Sequence, residues 1–492
     1  MKFKNFVKAF TFVLFLNTFS FVGWSQSNTM FWMKNLPQSI NYNPARQIPC
    51  KLFIDIPVLP NFAINVSHSG FTLNDAFKPH PYATDSFMID LDEIETALKD
   101  RNNINVDFDL SILNLGFSFG SDMFASFGIN YKAKEHFQYP KDLIELRRGN
   151  YRESGAPISF DFKQNASVYR EIFIGLSKDF GNGLTLGGRL KLLSGYANIS
   201  TNQLTVDWYT ETHPDSMYEW TFVSDIDANI SVPIDWSIQY DSVGIFESLL
   251  FNDYKPQDNS KELVFPGNPG FAVDLGAVYN LNDRFLFSAS LIDFGFIKWK
   301  KNPGTITQHA TFRFSGLDIS EYIGSLEEAQ QDQSNLGDRI AQDMIDTLKT
   351  VFNPDISQES YSTNLSPKIY LGADVFITDF FDIGFLYRGS VENKSLLSSY
   401  TLSANASFFK GWSYSFSYSI MGGKANNLGM GLAYKVGPCQ MYLITDNMAI
   451  PFWALNESEF SDNWLRNSKN LNFAFGMNFL LCKKNQDIGL LE

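Results

Sequence analysis

The sequence predicts an all-β protein, namely a transmembrane antiparallel outer-membrane β-barrel of about fourteen strands with long extracellular loops and an N-terminal plug segment. Three observations support this fold class. The N-terminus has the composition of an export signal, the predicted strands alternate apolar and polar residues, and the connections between them alternate short and long.

Residues 1–25 have the features of a cleaved signal peptide. Lysines come before an apolar run from about residue 9 to residue 22, and Gly23-Trp24-Ser25 is a small-x-small cleavage site before Gln26. The alternative is an uncleaved anchor, but this run is shorter than the roughly 20 apolar residues that a spanning helix needs. We therefore expect export and a location in the cell outer membrane.

The stretch GWSYSFSYSI, from Gly411 to Ile420, places large apolar side chains on one face of a strand and serines on the other. In a soluble sheet the apolar face would be the core, whereas in a membrane barrel it faces lipid and the serines face the lumen. Similar strands of about 9 to 13 residues, near the length that crosses a membrane, are predicted at 123–131, 184–192, 271–279, 368–377, 400–408, 428–436 and 471–481.

Short and long connections alternate along the chain. Tight turns are predicted near 120–122, 181–183, 281–284, 378–380, 410–411 and 437–438, and longer segments at 137–165, 197–267, 300–364 and 447–469. Outer-membrane barrels have short periplasmic turns and long extracellular loops. We therefore expect a barrel over 50–482, with large extracellular loops at 197–267 and 300–364 and a periplasmic tail at 483–492.

Three local irregularities are expected within this scheme. Pro57 and Pro60 interrupt the first strand, and a change of apolar register near Asn114 indicates a bulge. Apolar residues that recur at i+4 predict an amphipathic helix inside the insertion at 317–352. These residues are Leu336, Ile340, Met344 and Leu348.

Residues 26–49 precede the first strand and contain five large apolar residues within seven positions. Such a segment would be poorly tolerated in water, so it is interpreted as a plug that folds into the lumen. The alternative is a disordered leader. The apolar residues are Met30, Phe31, Trp32, Met33 and Leu36.

The predicted lumen face carries charges of both signs. Such charges could pair across a narrow lumen and close it, or form a polar constriction that selects solutes. An open porin for ions of one sign would carry more of the opposite charge and is disfavoured. The inward charges are Lys132, Glu171, Arg189, Lys191, Asp274, Lys368, Asp374, Asp382, Arg388 and Lys435.

The three cysteines are all expected at the periplasmic rim, where the barrel closes. Cys50 precedes the first predicted strand, Cys439 begins the second-last and Cys482 follows the last. We hypothesise that Cys482 pairs with Cys50 or with Cys439. A coincidental grouping of unpaired thiols is the alternative.

Enzyme and metal motifs are weak in this sequence. Ser118 lies in a G-x-S-x-G pattern, but no helix follows it as a nucleophile elbow requires. Asp225-x-Asp227-x-Asn229 opens like a calcium loop but lacks its later ligands. The five histidines have no ligand spacing, and a net charge of −14 disfavours nucleic acid. We expect no enzyme activity, no cofactor and no metal.

Several segments resemble a known family. MFWMKNLPQSINYNPA, PKDLIELRRGN and LTLGGRLKLLSGYANIST resemble a family of outer-membrane barrels from the Bacteroidetes lineage that is described only as a domain of unknown function. More distantly, the strand count and Asn43-Pro44-Ala45 resemble FadL-type barrels, which move hydrophobic molecules. Asn-Pro-Ala also occurs in accessory barrels of type IX secretion.

Two functions remain open on this basis. The first is passive transport of a hydrophobic or amphipathic small molecule through a plugged barrel, with Asn43, Pro44 and Ala45 in the plug. The second is a structural or interaction barrel in a cell-envelope or type IX secretion-like complex. The expected partners are outer-membrane lipid or lipopolysaccharide, a hydrophobic ligand and other envelope proteins.

Overall fold

The computed structural model describes residues 28–55, 61–80, 82, 86–212, 218–251, 267–316, 336–392, 395–421, 424–446 and 469–482. The predicted signal peptide, the Pro57 and Pro60 interruption and the tail at 483–492 lie outside the described residues.

A closed antiparallel barrel forms the body of the molecule. Each strand pairs with the next along the chain, and the last strand pairs with both described parts of the first, as in Leu52 with Leu481 and Phe62 with Phe475. Closure leaves the sheet without an edge. Within the described chain the fourteen barrel strands are β1 (Leu52–Asp55 and Asn61–His68), β2 (Arg101–Phe119), β3 (Met123–Pro140), β4 (Lys163–Asp179), β5 (Leu184–Glu211), β6 (Asn268–Asn282), β7 (Phe285–Trp299), β8 (Lys368–Thr378), β9 (Phe381–Glu392), β10 (Ser395–Ala406), β11 (Trp412–Met421), β12 (Lys424–Val436), β13 (Cys439–Thr445) and β14 (Asn470–Leu481).

The alternation in β11 has the orientation of a membrane barrel. Phe416 and Tyr418 are 47% and 42% exposed on the outer surface, whereas Ser415 and Ser417 are at most 3% exposed. The same division holds along β8, where Leu371 is outside and Lys368 is buried. An apolar exterior around a polar interior is the arrangement of a transmembrane barrel, so the predicted antiparallel barrel of fourteen strands is confirmed.

Several strands are longer than the predicted 9 to 13 residues. β2 has 19 residues, β3 has 18 and β5 has 28, more than a bilayer crossing needs. The end of β5 pairs with Glu219–Ser231, which pairs with Pro303–Phe314. The predicted loops at 197–267 and 300–364 therefore contain a sheet that continues the barrel wall. Backbone pairing with a neighbouring strand can continue where the lipid-facing pattern has ended.

Short connections occur at both ends of the barrel, although the sequence predicted them at one end only. At the end opposite the six tight turns, β9 ends at Glu392 and β10 begins at Ser395. At the same end, β11 ends at Met421 and β12 begins at Lys424. The bulge in β2 lies between Ser111 and Leu113, just before Asn114.

Short elements complete the described chain. No described helix is long and apolar enough to cross a bilayer. The helices are α1 (Asn28–Trp32), α2 (Leu73–Ala76), α3 (Leu91–Ala97), α4 (Asp142–Glu145) and α5 (Leu336–Val351, at the predicted amphipathic helix), with 3₁₀ turns at Pro37–Asn41 and Leu146–Arg148. The remaining short strands are Phe77–Pro79, Phe87–Ile89, Ile158–Asp161, Trp236–Tyr240, Phe246–Phe251, Asp355–Ser357 and Tyr361–Asn364.

We predict that Phe385→Arg destabilises the barrel by about 2–4 kcal/mol, because it places a charge on the lipid-facing surface, where Phe385 is 44% exposed. The free energy of unfolding would be measured by urea titration in lipid vesicles. Phe385→Leu, which keeps an apolar side chain, is the matched control. Equal stabilities of the two variants would contradict the outward orientation of this face.

Candidate functional site

The N-terminal segment, defined here as residues 28–49, lies inside the barrel. Its apolar side chains pack on lumen residues of β7 to β9 and of β12 to β14. Phe31, Trp32 and Leu36 are at most 2% exposed. One apolar cluster joins the segment to β12, β13 and β14. It contains Met30, Met33, Leu36, Ala433, Tyr442, Ile444 and Ala474.

The first residues of the segment are held by one carboxylate. The backbone N–H groups of Asn28 and Thr29 donate to the Asp446 carboxylate at 2.8 and 3.0 Å. The Thr29 hydroxyl contacts the same carboxylate and lies 2.6 Å from the Ser417 hydroxyl. The serine face of β11 therefore serves as a hydrogen-bonding wall for this end of the segment.

Two aromatic rings of the segment pack on residues of the wall. Phe31 stacks on Tyr370 with 5.9 Å between ring centroids. Trp32 lies over Gly384, where a Cβ atom would meet the indole ring at 2.2 Å. Glycine is needed at this position because the ring and the backbone approach so closely. The Arg46 guanidinium lies over the Phe31 ring, 4.1 Å from its centroid.

Asn43, Pro44 and Ala45 lie against β5, β6 and β7. The Asn43 side-chain amide donates to the backbone carbonyls of Ala277 and Ala289 at 3.0 and 3.3 Å. Its carbonyl oxygen accepts from the Ala45 N–H at 3.0 Å, which forms a local turn. Asn43 therefore joins the segment to the barrel wall.

A lumen ion network lies beside this turn, centred on Asp293. Its carboxylate accepts from the Lys191 ammonium at 2.7 Å. Three other lysines surround it, with Lys134 at 3.3 Å, Lys368 at 3.6 Å and Lys132 at 3.9 Å. The Asp293 side chain is 1% exposed, so these four cations stabilise a carboxylate that is removed from bulk water.

Two more carboxylates extend this network. Glu171 lies 3.2 Å from the Lys191 ammonium and 3.3 Å from that of Lys132. Asp274 lies 2.8 Å from both Lys191 and Arg189. Arg189 also donates to the Asn41 side chain at 2.7 Å. The sequence placed these groups on the lumen face, and the structure brings them into contact with each other and with the segment.

Asp293 was missed from the sequence because a bulge changes the register of β7. The β6–β7 pairing shifts between Val273 and Leu275, Asp293 has a φ of 61°, and its N–H donates to Asp274 at 2.8 Å. The signal was a change of phase in the apolar pattern. Phe285 and Phe287 face outward at odd positions, whereas Phe294 and Phe296 do so at even positions.

The remaining predicted lumen charges are divided between two places. The ammonium of Lys34, in the segment, contacts Asp374 and lies 3.3 Å from Asp382. Arg388 hydrogen-bonds Tyr370. Lys435 is at the rim, where its ammonium is 3.3 Å from the Cys482 sulfur.

A cavity of about 90 Å³ remains between the segment and the ion network. That volume accommodates a small number of water molecules and is well below the size of a typical ligand pocket. Residues of the segment, of the ion network and of the wall line this cavity, including Tyr42, Asn130, Lys132, Lys368 and Tyr442.

The cysteines lie at the rim with the tight turns. The structure joins Cys50 to Cys482 by a disulfide and leaves Cys439 as a free thiol. The bridge connects the start of β1 to the end of β14. It therefore spans the seam of the barrel, at the point where the N-terminal segment leads into the wall.

Residues of the weak enzyme and calcium motifs make contacts within the barrel wall and its extension. Ser118 lies in β2, and its hydroxyl donates to the Cys50 carbonyl at 3.0 Å. Asp225 lies in Glu219–Ser231, where it contacts His309 on the paired strand. Among the described residues, no group of three His, Cys, Asp or Glu side chains has metal-binding geometry.

Comparison with known proteins gives one match of sequence and several of structure. Residues 44–446 match the family described as Family of unknown function (DUF5723). No curated protein matches. Similar solved structures include a FadL homologue of Pseudomonas aeruginosa, with 10% identity, a TM-score of 0.40 and coverage of 94% of this chain and 100% of that one.

Two further solved structures are toluene transporters. TbuX of Ralstonia pickettii has 8% identity, a TM-score of 0.36 and coverage of 91% of this chain and 94% of that one. TodX of P. putida has 9% identity, a TM-score of 0.32 and coverage of 89% and 91%. Because these TM-scores are below 0.5, we draw no functional conclusion from the likenesses.

We predict that Asp293→Asn lowers the free energy of unfolding by about 3–5 kcal/mol, because it leaves buried lysines without their central counter-charge. Urea titration in lipid vesicles would measure the loss. Asp379→Asn, in an exposed turn, is the control. A loss no larger than that of the control would contradict a stabilising role for the network.

We also predict that Cys50 and Cys482 are oxidised in the native protein. A maleimide reagent under denaturing conditions should then label one thiol per chain before reduction and three after it, since all three cysteines lie in the described residues. Cys439→Ser should abolish labelling before reduction. Three reactive thiols in the unreduced protein would contradict the bridge.

Proposed function

This chain belongs to the DUF5723 family of unknown function. We propose that it is an outer-membrane channel for a hydrophobic or amphipathic small molecule. The N-terminal segment acts as its plug. The observation that carries this proposal is the position of residues 28–49, which lie in the lumen and pack on its wall through two apolar clusters.

The contacts of the segment suit a removable plug. Apart from the covalent chain at Cys50, these contacts are noncovalent, and the charges around Asp293 are paired within the wall itself. Asp293, Glu171 and Asp274 are neutralised by wall cations. Withdrawal of the segment would leave that network intact. The plug and the wall are therefore stabilised by different interactions.

Location in the outer membrane is part of the proposal. The apolar exterior, the closed antiparallel sheet and the export signal expected in residues 1–25 all support it. Lipid or lipopolysaccharide would then contact the outer surface.

A second candidate is a structural or interaction barrel in an envelope complex, including one of the type IX secretion kind. The wall extension favours it, because Glu219–Ser231 and Pro303–Phe314 form a broad sheet beyond the membrane-crossing length. Such a barrel would keep a filled lumen and would copurify with other proteins.

We predict that Asp446→Ala raises the single-channel open probability at least tenfold in planar bilayers. The Asp446 carboxylate accepts two backbone N–H bonds from the plug, and a hydrogen bond to a charged group contributes about 1.5–3 kcal/mol. Losing these bonds favours release of the plug. Thr29→Val, which removes one contact to the same carboxylate, should have a smaller effect in the same direction.

Asp379→Asn is the control for this experiment, because it removes an exposed carboxylate in a turn. Native mass spectrometry of protein extracted from its own membrane would distinguish the two candidates. An unchanged open probability in Asp446→Ala, together with a stable complex with other proteins, would favour the structural barrel.

A further inference from the structure

We propose that Asp374 and Asp382, with the apolar recess beside them, form a binding subsite for an amphipathic cation. The ligand class is a protonated primary amine attached to an aromatic or apolar body. This inference rests on the proposed function, because the plug occupies the subsite through residues Phe31 to Lys34 and must leave before a ligand enters.

The acidic half of the subsite is built for one ammonium group. The Asp374 side chain is fully buried, and the plug residue Lys34 supplies the ammonium group that contacts its carboxylate. The Lys34 ammonium pairs with it and lies 3.3 Å from Asp382. Lys34 also lies 4.8 Å from the centre of the Phe376 ring, a cation–π contact that a ligand amine could reproduce.

The balance of charge sets the sign of the ligand. Residues 28–49 contain two cations, Lys34 and Arg46, and no acidic residue. When the plug withdraws, the lumen loses two positive charges and no negative one. The lysines around Asp293 stay paired with wall carboxylates. The Lys34 charge is lost at the β8–β9 hairpin, where the carboxylates of Asp374 and Asp382 lose their contact with this cation.

The apolar half of the subsite is a recess that now holds two rings. Phe31 and Trp32 pack with Ile292, Tyr370 and Leu386. The floor of the recess is made of glycines, since a Cβ atom at Gly372 would lie 3.0 Å from the Phe31 ring and one at Gly384 would lie 2.2 Å from Trp32. A vacated space of this shape accepts an aromatic body.

These two halves adjoin, and the plug sequence Phe31-Trp32-Met33-Lys34 occupies both. The plug therefore acts as a covalently attached competitor of the ligand. A buried carboxylate without a counter-charge is strongly unfavourable, so an incoming amine compensates the charge that the departing Lys34 removes.

The test uses the full-length protein with Lys34→Met, which removes the competing ammonium and keeps the aliphatic chain. The probe is 4-phenylbutylamine, and the matched compounds are 4-phenylbutanol and 4-phenylbutyrate. Isothermal titration calorimetry should show the amine binding at least tenfold more tightly to Lys34→Met than to the wild type. The alcohol and the carboxylate should show no such gain.

Second-site variants localise the effect. Asp374→Asn added to Lys34→Met should abolish the gain, whereas Asp379→Asn added to it should preserve the gain. Heat-modifiable gel mobility would verify that each variant is a folded barrel. Equal binding of the three probes to Lys34→Met, or a gain that persists with Asp374→Asn, would overturn the subsite.

Failure of this inference is distinguishable from failure of the proposed function. If Asp446→Ala opens the channel while Lys34→Met shows no preference for the amine, the plugged channel stands and the subsite is wrong. If Lys34→Met binds the amine selectively while Asp446→Ala leaves the open probability unchanged, the subsite stands and the role of Asp446 in holding the segment is wrong.

Discussion

Closure of the hydrogen-bonded sheet is the constraint on which the rest of this structure depends. A chain that crosses hydrocarbon must satisfy its backbone N–H and C=O groups internally, and a β-sheet does so only when its last strand pairs with its first. Here β14 pairs with both described parts of β1. Once the sheet is closed, every strand has one face toward lipid and one toward the lumen, so the polar half of each alternating pattern must be accommodated inside.

The lumen accommodates its polar groups in two different ways. The charged side chains of β3 to β8 neutralise each other around Asp293, Glu171 and Asp274. The hydroxyl groups of β10 and β11 are instead met by the N-terminal segment, as in the contact of Thr29 with Ser417. The first solution is a permanent part of the wall. The second depends on a segment whose contacts are noncovalent up to Cys50, and the proposed gating uses that difference.

The longest strands carry the barrel wall beyond the length needed to cross a membrane. Strands such as β5 continue well past the membrane-crossing length, and the added sheet raises the wall above the lumen. Any molecule that enters from that side must pass the extension before it reaches the plug. The carboxylates of Asp374 and Asp382 lie on the hairpin β8–β9, next to the tight turn at the opposite end. The route would therefore cross most of the barrel height.

The sequence by itself determined the closed barrel, the approximate strand count and the lumen orientation of residues such as Lys191, Asp274 and Asp374. Side chains alternate with a period of two, so which face a residue occupies is a local property that the sequence records. The apolar cluster in residues 30–36 likewise indicated a segment that needed a partner.

Only the tertiary structure decided which groups meet. The bulge that turns Asp293 inward depends on its pairing with β6, and the extent of β5 depends on a strand from a distant part of the chain. The choice of Cys50 over Cys439 as the partner of Cys482 depends on the position of the seam. These are contacts between residues far apart in sequence. Register between strands is set by neighbours that a local pattern does not contain.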